Sequence, residues 1–232
     1  MTALFDGMRS LSEELRRAAG DLEVSLYGVA DAKGFLSPEY QGNRPQDVMP
    51  SVRSVVVLGV PLLRGSMDAL PKGRAEYHNS LLAATVTLRY MSFQLAKRIE
   101  DAEYLASIVP AEGNEFGIWY ADRETLRADV SLRYAAYLAG LGRYGLNHSL
   151  VTEKYGPRVR FMGILTDAPL EPGVPASDFA HEGCSSCGRC VDICPVGALE
   201  KDGTIHREKC AQYMFGELGG LRCGLCLKTC PL

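Results

Sequence analysis

All eight cysteines of the chain fall within its last forty-nine residues, at Cys184, Cys187, Cys190, Cys194, Cys210, Cys223, Cys226 and Cys230. Thiolates are soft metal ligands, and crowding of this kind marks a metal-binding module. The first four read C-x-x-C-x-x-C-x-x-x-C-P and end in Cys194-Pro195, and the last three repeat the second half of that run and end in Cys230-Pro231. Three thiolates two residues apart wrap a tight loop around three corners of one small object. The proline behind the last cysteine fixes φ, removes a donor and turns the chain away.

This spacing is the ligand run of bacterial two-cluster ferredoxins, in which the fourth cysteine of a run ligates the other cluster. By that rule one 4Fe-4S cluster takes Cys184, Cys187, Cys190 and Cys230, and a second takes Cys223, Cys226 and Cys194 and lacks one ligand. Symmetry would place the missing cysteine at position 220, where Gly220 stands. Cys210 is the one thiol left, so it is assigned as the remote fourth ligand, and Ala211 to Arg222 becomes an insertion. Zinc ribbons pair a C-x-x-C with a distant C-x-x-C and do not pack three thiolates into seven residues. Disulfides would call for a secretory context, and Met1 to Ser10 contains Asp6 and has no apolar core of a signal peptide.

The 232 residues far exceed what two clusters need, leaving about 170 for a domain with its own core. With 25 basic and 28 acidic residues and a formal charge of -3, the composition points to no polyanion-binding surface. Arg16-Arg17 and Lys97-Arg98 read as solvated helix faces. The longest apolar run, Val55 to Leu63, is too short to span a bilayer. It is expected to be a buried strand, and the protein to be cytoplasmic with no membrane partner.

The pattern predicts a helix opened by the capping box Ser10-Leu11-Ser12-Glu13 and running to about Ala19. A strand at Val24 to Ala30, a loop from Lys33 to Pro50 and a strand at Ser54 to Val60 follow. Asn79 is expected to cap a helix to about Ala102, whose stripe of Leu82, Val86, Tyr90, Phe93 and Lys97 reads as core. Arg123 to Ala139 is predicted to be a second long helix, with Leu126, Val130, Tyr134, Tyr137 and Leu141 on one side. Ser149 to Glu153 and Val159 to Thr166 read as a hairpin turning at Tyr155-Gly156-Pro157. Ala168 to Pro175 reads as a stiff, extended linker. The expected fold class is therefore α+β, with residues 1–170 as a cofactor or substrate domain and 171–232 as a ferredoxin-like domain.

Outside the cysteines the most informative stretch is Ala139 to Val151, where three glycines follow a helix. Gly142 and Gly145 could let backbone approach a ligand, with Asn147 aimed inward as a cofactor-binding group. The competing reading is a helix C-cap and a turn into a strand.

This stretch resembles the epoxyqueuosine reductase family and its relatives, which include the reductive dehalogenases. The shared elements are A-G-L-G-x-x-G-x-N at Ala139 to Asn147, Leu150-Val151, Gly156 to Arg158 and Ile164-Leu165-Thr166-Asp167, ahead of the cluster module with its lone Cys210. The resemblance implies a nitroreductase-like N-terminal domain holding cobalamin beside one cluster, with electrons passing through both clusters to cobalt. In the named enzyme the reduced corrinoid removes an epoxide oxygen from a modified tRNA base.

Three features depart from the family pattern. The chain stops at Leu232, without the helical-repeat extension that family members use near tRNA, so tRNA is a doubtful partner on this reading. Leu146 replaces a lysine. Leu126 stands where those enzymes carry their acidic proton donor, with Asp122 and Asp129 nearby, so the catalytic residue is left unknown. Tyr144 and His148 sit inside the elbow, where packing and capping are the simpler roles. His78, His181 and His206 have no ligand spacing.

The leading expectation is a reductase: two 4Fe-4S clusters pass electrons from a reduced ferredoxin- or flavodoxin-type donor to a corrinoid or small-molecule substrate in the N-terminal pocket. An electron-transfer protein that reduces a separate corrinoid protein is the alternative. Clusters that only brace the fold come third, since one would suffice for bracing.

Overall fold

A computed structural model describes residues 2–232, with side chains described from residue 10 onward. In chain order the regular elements begin with α1 (Thr2–Asp21), β1 (Leu26–Asp31), α2 (Pro45–Val48), β2 (Ser54–Pro61), α3 (Arg64–Asp68) and α4 (Arg74–Asp101). Then come β3 (Ala106–Val109), β4 (Asn114–Glu115), β5 (Ile118–Trp119), α5 (Leu132–Leu138), β6 (Arg143–Tyr144), β7 (Leu150–Val151) and β8 (Val159–Thr166). The cysteine-rich end carries α6 (Arg189–Asp192), α7 (Arg207–Gln212) and α8 (Leu225–Lys228). The chain is thus a mixture of helices and sheet, as the α+β expectation has it.

These elements form two compact units, each drawn from separated segments. One comprises Met1–Val60, Thr85–Leu141 and Phe161–Pro175, and the other Pro61–Ala84, Gly142–Arg160 and Ala176–Leu232. A single cut near residue 170 does not reproduce this division, because the elbow and the segment before α4 associate with the cysteines through contacts distant in sequence.

The first unit is built on a four-stranded sheet of order β1-β2-β8-β3. β1 pairs antiparallel with β2 from Leu26↔Gly59 to Asp31↔Ser54, and β3 pairs antiparallel with β8 from Ala106↔Thr166 to Val109↔Gly163. Val55, Val56, Val57 and Leu58 are all fully buried, which is why their side chains read as an unbroken apolar run rather than an alternation. Leu15, Leu88, Leu95, Ile99, Ala135 and Ala136 complete this core from three helices. Burying each of the larger aliphatic side chains contributes roughly 1.5–3 kcal/mol.

Several local expectations are corrected. The first helix begins at Thr2, so Ser10 lies in its interior; the capping pattern is local, and no proline precedes it to stop the helix. On α4 the buried face is Leu81, Ala84, Leu88, Met91, Leu95 and Ile99, whereas Val86, Tyr90 and Phe93 are 54 %, 61 % and 55 % exposed. Both sets have helical spacing, so periodicity alone cannot choose between them.

The predicted helix from Arg123 is only α5, capped by the Ser131 side chain accepting from Tyr134 N. Upstream, Asp122 Oδ1 accepts from the backbone of Glu124 and Thr125 and from Thr125 Oγ1, and Leu126 has φ 55°. Asp122 thus caps a single turn, closed by Leu126 N donating to Asp122 O at 3.0 Å, and the left-handed backbone of Leu126 ends it there. The hairpin expectation also fails, because β7 pairs with β6 while β8 joins the main sheet. The linker is packed at its start: Ala168 and Leu170 are buried, Ser54 Oγ donates to Ala168 O at 2.8 Å, and Gly173 N donates to Val29 O at 2.8 Å.

Candidate metal centre

Four thiols expected to share one cluster do converge. Cys184, Cys187, Cys190 and Cys230 line one small, largely apolar cavity in the second unit, together with Gly145, Leu146, Asn147 and Val151 of the elbow and with Arg189 and Pro231. Burial pushes the Cys190 thiol above its ordinary value, and the neighbouring Cys184 and Cys230 push it the same way. Burial likewise raises the Cys230 thiol, with Cys184 and Cys187 adding to it. Cys190 and Cys230, forty residues apart in sequence, thus line the same cavity. The donor set is four soft ligands around one space, which fits a thiolate-held iron–sulfur cluster.

The local backbone explains the convergence. Gly188 has φ 64° and ψ -2° and opens α6, and Gly224 has φ 69° and ψ -2° and opens α8. Val191 N and Asp192 N both donate to Gly188 O, as Leu227 N and Lys228 N both donate to Gly224 O. Left-handed backbone at these two positions favours glycine and lets each loop reverse sharply into its short helix. The two half-runs are therefore the same structural unit used twice, and α6 and α8 touch.

The other four cysteines are placed as follows. Cys194 follows α6, where its Sγ accepts from Ala198 N at 3.2 Å. Cys223 precedes α8, Cys226 lies in it, and Cys210 lies in α7. After α7 the stretch expected to be an insertion is one turn of π-helix, Tyr213–Glu217, followed by Gly219 and Gly220 at φ 59° and 94°. A π-turn accommodates an extra residue within a helix, and such turns recur at functional sites. Among the described residues, no group of three or more His, Cys, Asp or Glu side chains is arranged to hold a single metal ion.

The elbow residues divide. Gly140, at φ 75°, ends α5 as a left-handed cap, with Leu141 N donating to Ala136 O at 2.9 Å. A Cβ at Gly142 would stand 2.3 Å from Val151 O, so this glycine serves a close backbone approach. Gly145 and Asn147 line the cysteine cavity. Asn147 is 7 % exposed; its Oδ1 accepts from Ser149 N at 3.0 Å and its Nδ2 donates to Cys226 O at 3.4 Å. Tyr144 stacks on Phe179 at 4.4 Å, and His148 Nε2 donates to Gly203 O at 2.7 Å, so both act as packing and bracing groups. His181 Nδ1 accepts from Gly183 N just before the first cysteine, and His206 pairs with Glu200. Asp122, engaged in its turn, has its carboxyl held below the ordinary value first by the Thr125 backbone donor.

A second support comes from residues far upstream of the cysteines. Arg74 Nη1 donates to Cys223 O at 3.0 Å, Lys228 Nζ donates to Asp68 O at 2.8 Å and also to Leu70 O, and the Tyr77 ring packs over Gly224. Residues more than 140 positions upstream thereby brace the second cysteine run. No spacing rule marks a donor to a main-chain carbonyl.

Residues 183–232 match the family description "4Fe-4S dicluster domain". Among curated relatives, an epoxyqueuosine reductase of Bacillus cereus is 25 % identical over 217 residues, covering 85 % of this chain and 53 % of that protein. The chain thus resembles epoxyqueuosine reductases and spans about half the length of this relative.

Among solved structures, an epoxyqueuosine reductase with a tRNA-Tyr epoxyqueuosine-modified tRNA stem loop superposes with a TM-score of 0.67 at 21 % identity, covering 97 % of this chain and 65 % of that one. A reductive dehalogenase whose structure concerns B12-dependent dehalogenation gives 0.69 at 17 %, covering 94 % and 31 %. At these identities the two superpositions speak for the fold. The expectation that tRNA is a doubtful partner finds no support here: it rested on where the sequence stops, whereas a neighbour in fold is seen with a tRNA stem loop. Among the described residues no helix is long and apolar enough to cross a membrane.

Proposed function

We propose that the protein is a cytoplasmic, epoxyqueuosine reductase-like iron–sulfur reductase carrying two 4Fe-4S clusters, one on Cys184, Cys187, Cys190 and Cys230 and the other on Cys194, Cys210, Cys223 and Cys226. The observation carrying this reading is the convergence of the first four thiols on one cavity. Bound clusters supply low-potential one-electron transfer, so an epoxide oxygen leaving as water requires two such transfers and two protons.

The chain's own residues do the remaining work. The cysteines hold the iron; Leu146, Val151 and Pro231 give the first site an apolar wall that keeps water away; Gly145 and Asn147 form the elbow side of that wall. Electrons come from a reduced ferredoxin- or flavodoxin-type donor. The acceptor is a corrinoid or the substrate itself, held by a nitroreductase-like domain within residues 1–170, with 171–232 as the cluster-bearing part. The likeness to the dehalogenase supports the corrinoid, and the likeness to the tRNA-bound reductase makes a modified tRNA base the first substrate to test. In the first unit, a groove of about 420 Å³ lined by Arg89, Tyr90, Phe93, Ile108, Pro110 and Met162 is of a size that takes a small molecule.

Anaerobically prepared protein should contain about eight iron atoms and as much sulfide per chain, and bind added cobalamin with a shift of its visible spectrum. Stoichiometric zinc, or no iron, overturns the cluster assignment. Full iron without a cobalamin response removes the corrinoid and leaves direct reduction of substrate.

A further inference from the structure

Asn147 lines the cavity of the first four cysteines, yet its amide donates to the main-chain carbonyl of Cys226, which belongs to the second run. The side chain is buried and both its ends are engaged, Oδ1 by Ser149 N and Nδ2 by Cys226 O. It is also confined: a Cβ at Gly145 would come within 2.9 Å of its Oδ1 and 3.1 Å of Val151 Cγ2, so glycine at 145 leaves the amide its place. A short, rigid amide with one acceptor and one donor is suited to joining an elbow turn to a second loop. Leucine lacks both groups, aspartate lacks the donor, and glutamine is longer by a methylene.

We infer that Asn147 is a positioning residue that ties the two cysteine runs together, fixing the distance between their clusters and favouring reduction of the one held by Cys226. This rests on the cluster assignment above. The N–H dipole pointing at Cys226 O places partial positive charge beside the second run, which stabilises an added electron there, and the tie limits how far the two loops can move apart.

The experiment compares wild type, Asn147→Asp and Asn147→Leu by iron content, by reduced fraction at a fixed poised potential and by the electron paramagnetic resonance spectrum of the doubly reduced state, whose spin–spin coupling reports the separation of two clusters. Asn147→Asp keeps the acceptor for Ser149 N and turns an oxygen toward Cys226 O. It should retain its iron, lower the reduced-to-oxidised ratio of the cluster held by Cys226 about tenfold, equivalent to 59 mV for one electron, and lower that of the other cluster, whose cavity it also lines, by less. Asn147→Leu should shift the ratio less and weaken the coupling more. Unchanged ratios and coupling in both variants, or equal shifts in both clusters, overturn the inference. A wild-type protein lacking iron would instead overturn the cluster assignment itself, so the two failures are told apart by which sample shows them.

Discussion

The two cysteine half-runs share one backbone, a left-handed glycine leading into a four-residue helix, but they are held by different means. Around the first, the supports are the elbow at Gly145 to Val151 and the returning Cys230-Pro231, and the four thiols face a common space. Around the second, besides Asn147 on Cys226 O, the supports are side chains from the start of α4, Arg74 on Cys223 O and Tyr77 over Gly224, while Lys228 reaches back to the carbonyls of Asp68 and Leu70. A local repeat of sequence can therefore specify the loop while leaving its anchoring to be supplied from elsewhere in the chain. The second run, with its π-turn and displaced Cys210, depends more heavily on that supply.

The largest expected effect tests whether the runs exchange ligands. Cys230→Ala should abolish the cluster of the first run and keep the other, and Cys210→Ala should do the reverse, each leaving about half the iron. Loss of both signals from either variant would break the assignment.

Substituting the paired glycines sharpens the comparison. At Gly188 an added Cβ meets only the flexible end of Lys201 at 3.5 Å, so Gly188→Ala should cost roughly 1–2 kcal/mol for its left-handed backbone. At Gly224 the Cβ would lie 2.5 Å from the Tyr77 ring, so Gly224→Ala should cost about 1–3 kcal/mol more. Denaturant unfolding of the two variants gives the difference, and equal costs would mean that Tyr77 moves aside freely.

Smaller still, Arg74→Ala removes one part-buried hydrogen bond and should cost about 1 kcal/mol, read as faster amide exchange in residues 223–230 with residues 184–194 unaffected. Exchange rising in both runs would show that the bracing is shared.

The pH dependence should be slight and of opposite sign with and without iron. Raised thiol values at Cys190 and Cys230 favour the neutral, protonated form in the folded chain. Iron-free protein should therefore lose stability as pH rises above the ordinary thiol value of 9.0 toward the raised ones. Cluster loading requires thiolates and releases protons, so it should strengthen with pH over the same range. Chemical denaturation of the iron-free protein and iron binding at several pH values measure the two trends, and parallel trends would contradict them.

The gathering of Cys184, Cys187 and Cys190 on one cavity was legible because a loop with fixed short spacings leaves thiols few ways to point. The strand Ser54 to Pro61 was legible for a similar reason, since four adjacent fully buried residues leave no polar alternation to confuse. The α4 stripe was misread because Val86, Tyr90 and Phe93 have the same helical spacing as the buried set of Leu81, Leu88, Leu95 and Ile99, and only tertiary contact chooses. The long helix from Arg123 stops after one turn because Leu126 takes a left-handed backbone, φ 55°, which an apolar count does not register. Arg74 and Tyr77 were missed since their partners are a carbonyl and the space beside a glycine, neither of which leaves a mark in composition.

Where α5 ends, a Cβ at Gly140 would stand 2.5 Å from Val174 O, and one at Gly173 would stand 2.2 Å from Ala139 O. Each glycine thus faces the main chain that holds the other. Neither position can gain a side chain by a compensating change in a neighbouring side chain, because what it would strike is peptide backbone. Variation in this part of the chain should therefore skip residues 140 and 173 together, and an attempt to stiffen the approach to the cysteines by replacing either glycine should pry the segment of residues 173–174 away from the end of the helix.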